Sequence, residues 1–341
     1  MRIKLLIATI DLLYAKLISD NISQYHADKI NVSICSSLEG VQEALTKQKY
    51  NVALIDTTLI EHVDTTSIHL PLLLWSENED PFDLAEPFGK IDKYQRISSI
   101  VAAVLEQYSK LSKKNHNPDL QEAKVTAVWS PAGGVGKTTI ALACALSKAA
   151  DNKKVFYLNL EYFSSIPDYF RENGKSISSV FEMLENHEGD IKMLIQGISC
   201  FDNGITYLCS PDNYDDLCIL SSENVQDLVT ACAALSDELV IDLSCICDAR
   251  TNKVFELADS VLLVTGQTNT AETKLAQFMS QNSVFESIKE KVTLVANKGA
   301  SIHAPLTESM ISFPYVHFGD ARAISKELSM ISDQWSLVSG Q

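Results

Sequence analysis

Seven consecutive residues carry the first chemical signal: Gly133, Gly134, Val135, Gly136, Lys137, Thr138 and Thr139. Glycines, lacking Cβ atoms, let successive backbone N–H groups converge on one set of phosphate oxygens. A helix starting at the lysine adds unpaired N–H donors and the positive end of its dipole. Lys137 then reaches the β- and γ-phosphates, the Thr138 hydroxyl ligates Mg²⁺, and Thr139 sits near the α-phosphate. These residue types at this spacing predict a site for ATP with Mg²⁺, and they make Lys137 a candidate catalytic residue as well as a binding one.

Such a loop works only between a strand and a helix. The apolar run from Lys124 to Ser130 supplies the strand, and the Ala/Leu-rich stretch Ile140 to Ala150 supplies the helix. Further strands are expected at Val155–Leu160, Ile205–Cys209, Leu239–Ile241, Ser260–Val264 and Lys291–Ala296. Upstream, strands are expected at Ile3–Ala8, Ile30–Ser36, Asn51–Ile55 and Pro71–Trp75, with a short fifth near Lys90. Helices are expected at Leu12–Gln24, Leu38–Lys47 and Arg96–Leu111. Alternation of this kind implies parallel α/β sheets. A polar stretch with Pro118 inside it separates the two series. The expected organisation is a first domain over 1–112, a linker over 113–122 and a P-loop NTPase domain over 123–341, its sheet mostly parallel.

The 341 residues suit two domains. A net charge of −16 weighs against nucleic acid, because binding DNA through its phosphates needs a basic face. The imbalance is concentrated downstream: residues 120–341 hold 16 basic against 28 acidic side chains. Apolar runs are too short to cross a bilayer, and Asp11 interrupts the apolar N-terminus early, so neither membrane insertion nor a secretion signal is expected. Eight cysteines without a CxxC pair suit reduced thiols in a cytoplasmic protein, with Cys245 and Cys247 expected to face the core.

In a doubly wound sheet, ligand sites lie at the carboxyl ends of the strands. In the first half those ends carry Asp11, Asp56, Ser76 and Lys93. The set resembles the response-regulator receiver domain, a flavodoxin-like fold in which carboxylates hold Mg²⁺ and the strand-three Asp accepts a phosphoryl group. This chain has Ile10 and Asp11 where the family has adjacent acids, and no Lys-Pro step. The expectation is a receiver-like fold whose phosphorylation pocket is inactive.

The second half resembles the deviant Walker A proteins of the ParA/MinD superfamily over most of residues 124–341. The resemblance implies that Glu161 orients the attacking water, Asp242 holds Mg²⁺ through water as the Walker B acid, and Asn297 recognises the adenine edge. Two departures stand out. Ala132 occupies the place of the lysine that crosses to a partner subunit's nucleotide, and Asn159 replaces the first of two acids. Slow hydrolysis is expected in consequence, with Arg250 as a possible substitute cation.

A receiver-like half ahead of a deviant Walker ATPase is similar to the TadZ/CpaE family of Tad (Flp) pilus assembly proteins. That resemblance implies a homodimer, contacts with pilus or secretion machinery proteins, and polar placement through them. Two other functions fit the motifs: a ParA- or MinD-type partition or division-site ATPase, and an ATPase switched by phosphorylation of Asp56. An apolar stripe at Ala321, Ile324, Leu328, Ile331, Trp335 and Val338 is expected to be a last helix packed on the sheet or in a dimer.

Overall fold

Strands that read as near-continuous apolar runs need a layer of helices on each face, and both halves of the chain are built to meet that need. A computed structural model describes residues 2–27, 30–76, 88–111, 123–171, 174–187, 189–299 and 310–313. The linker expected at 113–122 and the apolar stripe of residues 321–338 lie outside the described residues. The chain forms two compact units, Met1–Lys113 and Lys114–Gln341.

The first unit runs β1 (Ile3–Ala8), α1 (Leu12–Tyr25), β2 (Ile30–Cys35), α2 (Leu38–Lys47), β3 (Tyr50–Asp56), α3 (Thr57–Ile60), β4 (Ile68–Trp75), β5 (Gly89–Asp92) and α4 (Ile97–Leu111). Among its described residues, five strands, all parallel, stand in the order β2-β1-β3-β4-β5. This is the doubly wound, flavodoxin-like order, which places the ends of β1 and β3 side by side. Leu6, Ala8, Ala53, Ile55 and Leu73 form part of the core on one face of the sheet, under Val41 of α2. Asp11, Ser37 and Asp56 each cap the helix that follows with a side-chain oxygen.

The second unit runs β6 (Lys124–Trp129), α5 (Lys137–Ala150), β7 (Val155–Leu160), α6 (Ile166–Tyr169), α7 (Ser178–Glu185), α8 (Ile191–Ile198), β8 (Cys200–Asp202), β9 (Ile205–Tyr207), α9 (Ser222–Ala233), β10 (Glu238–Leu243), α10 (Ala249–Leu257), β11 (Ser260–Thr265), α11 (Asn269–Met279), α12 (Asn282–Ile288), β12 (Val292–Ala296) and β13 (Met310–Ser312). Among the described residues, eight strands stand in the order β13-β12-β11-β6-β10-β7-β9-β8. All neighbours are parallel except the edge pair β8–β9. Ile140 to Ala145 of α5 are all buried, so this helix is apolar around its whole circumference and packs against β6, β7 and β10. Because β10 lies between β6 and β7, the loops leaving β6, β7 and β10 emerge together at one edge of the sheet.

Several boundaries differ from the sequence reading. The helix after the glycine loop begins at Lys137, three residues before Ile140, because the loop itself delivers the chain into helical geometry. The strand expected to reach Cys209 ends at Tyr207, and Cys209 makes an isolated bridge to Ser176. Cys245 and Cys247 are exposed rather than core-facing, since they lie in the loop beyond the buried end of β10. Among the described residues no helix is long and apolar enough to cross a membrane.

Candidate functional site

The loop between β6 and α5 has the backbone that its glycines were expected to provide. Gly134 and Gly136 take φ of +73° and +92°, conformations that side chains rarely adopt. At Gly136 a Cβ atom would also stand 2.3 Å from the Asn297 amide nitrogen. Gly136 is the N-cap of α5 and supplies no side-chain acceptor, whereas Asp11, Ser37 and Asp248 cap α1, α2 and α10. The first N–H groups of α5 are left without a side-chain cap, as an anion site requires. Gly133 and Gly134 are exposed, while Val135 is buried and packs against Gly266.

Lys137, the first residue of α5, is buried, with its Nζ 3.8 Å from Glu161 Oε1. The Thr138 hydroxyl donates to Glu161 Oε2 at 3.3 Å. Thr139 lies beside Tyr169 of α6. Loop lysine, following threonine and the acid after β7 are therefore gathered at one point, although Glu161 follows Thr138 by 23 residues.

Asp242 sits beside them with no exposed surface. In the sheet it is in register with Val128 of β6 and Asn159 of β7. Its Oδ2 accepts from the Tyr157 hydroxyl at 2.9 Å and from Asn159 Nδ2 at 3.3 Å. Its Oδ1 is buried and has no hydrogen-bond partner. Burial first, and then the charge of Glu161, push the Asp242 carboxyl up to about 7. A buried carboxylate oxygen left bare beside Lys137, Thr138 and Glu161 has the chemistry of an outer ligand for a hydrated divalent cation. Asn159 also accepts from the Glu161 backbone N–H at 3.2 Å, so it holds the acid's backbone in place.

Asn297 follows β12 and is buried. Its Nδ2 donates to the Val135 carbonyl at 2.9 Å and its Oδ1 accepts from the Lys298 N–H at 2.8 Å. Its amide is thus engaged in holding the glycine loop. Lys298, itself at φ +59°, donates from Nζ to the Gly134 carbonyl at 2.8 Å. Ala132 is buried, and its N–H donates to Ser130 Oγ.

Arg250 does not reach into this cluster as a free cation. Its guanidinium donates to Asp248 Oδ2 at 2.9 and 2.5 Å, to the Tyr162 hydroxyl at 2.6 Å and to the Leu217 carbonyl. It ties together the loop after β7, the turn at Leu217 and the N-terminus of α10. Tyr157, Tyr169, Lys298 and the Arg250 bonding partners were not singled out from sequence. Tyr157 could have been found only by pairing β7 with β10 in the correct register.

In the first unit, Asp56 at the end of β3 is buried and saturated. Its Oδ2 accepts from Thr9 Oγ1 at 2.7 Å and pairs with Lys93 Nζ at 2.8 Å. Its Oδ1 accepts from Thr57 Oγ1, from the Thr58 N–H and from Thr58 Oγ1 at 3.1 to 3.3 Å. Burial works against its charge, but the hydrogen bonds from Lys93, Thr9 and Thr58 outweigh it and leave the pKa lowered. Asp11 is exposed and caps α1, accepting from the Tyr14 N–H at 3.0 Å. The Tyr14 hydroxyl in turn donates to the Lys93 carbonyl. Ser76 follows β4 and is half-buried. The structure thus brings Asp56 and Lys93 together, with Thr9 rather than an acid on the β1 side.

No protein-family model and no curated protein matches this chain. Among solved structures it is similar to a ParA family ATPase from Chlorobium tepidum TLS, with a TM-score of 0.52 and 16% identity over 63% of this chain and 98% of that one. A MinD cell division protein from Aquifex aeolicus gives 0.49 and 16% over 64% and 98%. The first likeness shows a fold: a P-loop α/β architecture of the ParA type, its sheet mostly parallel.

Proposed function

We propose that the second unit binds ATP with Mg²⁺ on the 133–139 loop, turns it over slowly, and uses the bound nucleotide to set a conformation or a homodimer that places a protein machine. The observation that carries this reading is the Lys137–Thr138–Glu161 cluster beside the bare Oδ1 of Asp242. Lys137 and the loop N–H groups bind the phosphates. Thr138 and Asp242 hold the cation, which when bound neutralises phosphate charge. Glu161 is left to orient water. Slow turnover follows from charge: a cation inserted on the transferring group is worth roughly 10³–10⁵ in rate. Ala132 brings none, and Arg250 is engaged elsewhere.

The machine we propose is a Tad/Flp-type pilus or secretion assembly. Support comes from the order of the units, a flavodoxin-like sheet ahead of a ParA-type fold. Partition along DNA is disfavoured by the acidic balance. A phosphorylation switch is disfavoured by the five hydrogen-bond donors that already occupy both oxygens of Asp56.

Calorimetry on the full chain tests the site: ATP with Mg²⁺ binds the wild type, and Lys137→Ala loses binding at least 100-fold. Equal affinity in the two proteins refutes the assignment. Imaging of the tagged protein in its own cells tests the placement role, with polar foci expected and a uniform distribution counting against it.

A further inference from the structure

Asn159 stands where the resembled family has an acid, so Asp242, wholly buried, has one carboxylate fewer beside it. A carboxylate that serves a cation through one oxygen is aimed by hydrogen bonds that fix the other. The structure shows that asymmetry. Both donors, the Tyr157 hydroxyl and Asn159 Nδ2, converge on Oδ2, and Oδ1 receives nothing. Asn159 Nδ2 also donates to the Tyr157 oxygen at 3.2 Å, which fixes the phenol's own direction.

We propose that Tyr157 is a positioning residue for the cation: its hydroxyl holds Asp242 Oδ2 and so turns the bare Oδ1 toward the Mg²⁺ that accompanies the nucleotide. The inference rests on the ATP–Mg²⁺ reading above and deepens it. Tyr157 lies in β7, two residues before Asn159 and on the same face, with Val240 opposite it in β10. Its ring packs against Phe170 and the surrounding aliphatic core, a part that phenylalanine would fill equally well. The hydroxyl is the addition. A phenol hydroxyl is an uncharged donor near neutral pH. A neutral donor orients the carboxylate without adding a positive charge that would compete with the cation.

Tyr157→Phe in the full chain isolates the hydroxyl. ATP binding is measured by calorimetry with excess Mg²⁺ and again with EDTA. The wild type is expected to bind more tightly with Mg²⁺. In Tyr157→Phe the EDTA affinity stays at the wild-type value, while the gain on adding Mg²⁺ shrinks about 10- to 100-fold, the range typical when a group orienting a metal ligand is removed. A role in packing alone predicts the wild-type gain, and that result overturns the inference while leaving the ATP site standing. The inference also falls if the wild type shows no Mg²⁺ gain. Loss of EDTA-phase binding in Tyr157→Phe would show the hydroxyl supporting the whole loop, and would overturn it too. Absence of ATP binding by the wild type would overturn this inference together with the proposed function.

Discussion

Replacing Asp56 by Asn tests whether the first unit is a locked structural body or a phosphoacceptor. Asp56 is buried, and its partner Lys93 keeps only 11% of its side-chain surface. The substitution leaves one carbonyl oxygen to serve donors that now occupy two, and it removes the charge that balances the Lys93 ammonium. Breaking a buried ion pair from one side costs about 3–5 kcal/mol, because the remaining charge is stranded. Thr9, Thr57 and Thr58 can rotate toward the amide oxygen, so the lower end, about 3 kcal/mol, is expected. The most protected amides of β1 and β3 report that loss directly by hydrogen exchange in the full chain, and about 3 kcal/mol speeds their exchange more than 100-fold. The double variant Asp56→Asn with Lys93→Met should recover much of the loss, since it no longer strands a charge. The wild type should show a matching pH dependence. Asp56 has a folded pKa below its unfolded one, so its contribution is full above the ordinary carboxylate range and disappears as pH falls through the lowered value. A single variant within about 0.5 kcal/mol of wild type, the size of a surface substitution, would refute the lock. So would stoichiometric labelling of Asp56 by acetyl phosphate with Mg²⁺.

Gly136→Ala should abolish ATP binding, because it meets both the positive φ and the Asn297 amide 2.3 Å away, and calorimetry beside a circular dichroism spectrum separates local from global loss. Arg250→Ala should lower stability by about 1–3 kcal/mol in thermal unfolding, since it strips partners from Asp248, Tyr162 and the Leu217 carbonyl. Its single-turnover hydrolysis rate should stay within about tenfold of wild type, and a fall of roughly 10³-fold would instead put the guanidinium on the transferring phosphate. Duplex DNA should show no sub-micromolar binding at physiological salt, as titration by anisotropy would reveal, and a tight complex with a steep salt slope would favour partition.

Local signals account for what was legible in the sequence. Ile3–Ala8, Leu38–Lys47 and Val155–Leu160 match their observed elements at both ends, because a cap or turn residue stands beside each apolar pattern. The glycine loop was legible for the same reason, since its chemistry lies within seven adjacent residues. The short strands at Cys200–Asp202 and Met310–Ser312 were missed, as three residues at a sheet edge leave no periodicity to detect. Arg250 is a harder case. Its residue type and place after Walker B suggested a substitute cation, and only the folded loops show Asp248, Tyr162 and Leu217 holding it. Tyr157 is the opposite. In a strand of six buried residues, an aromatic side chain is ordinary core, and no neighbour in sequence marks its hydroxyl. Its meaning comes from a ladder that sets Val240 against Tyr157 and Asp242 against Asn159 across 83 residues of chain. That pairing places a phenol oxygen two residues short of the acid and on its side of the sheet, within reach of one carboxylate oxygen. The residues proposed to bind phosphate are therefore contiguous and readable, whereas those proposed to aim the acid at a cation are assembled by strand order alone.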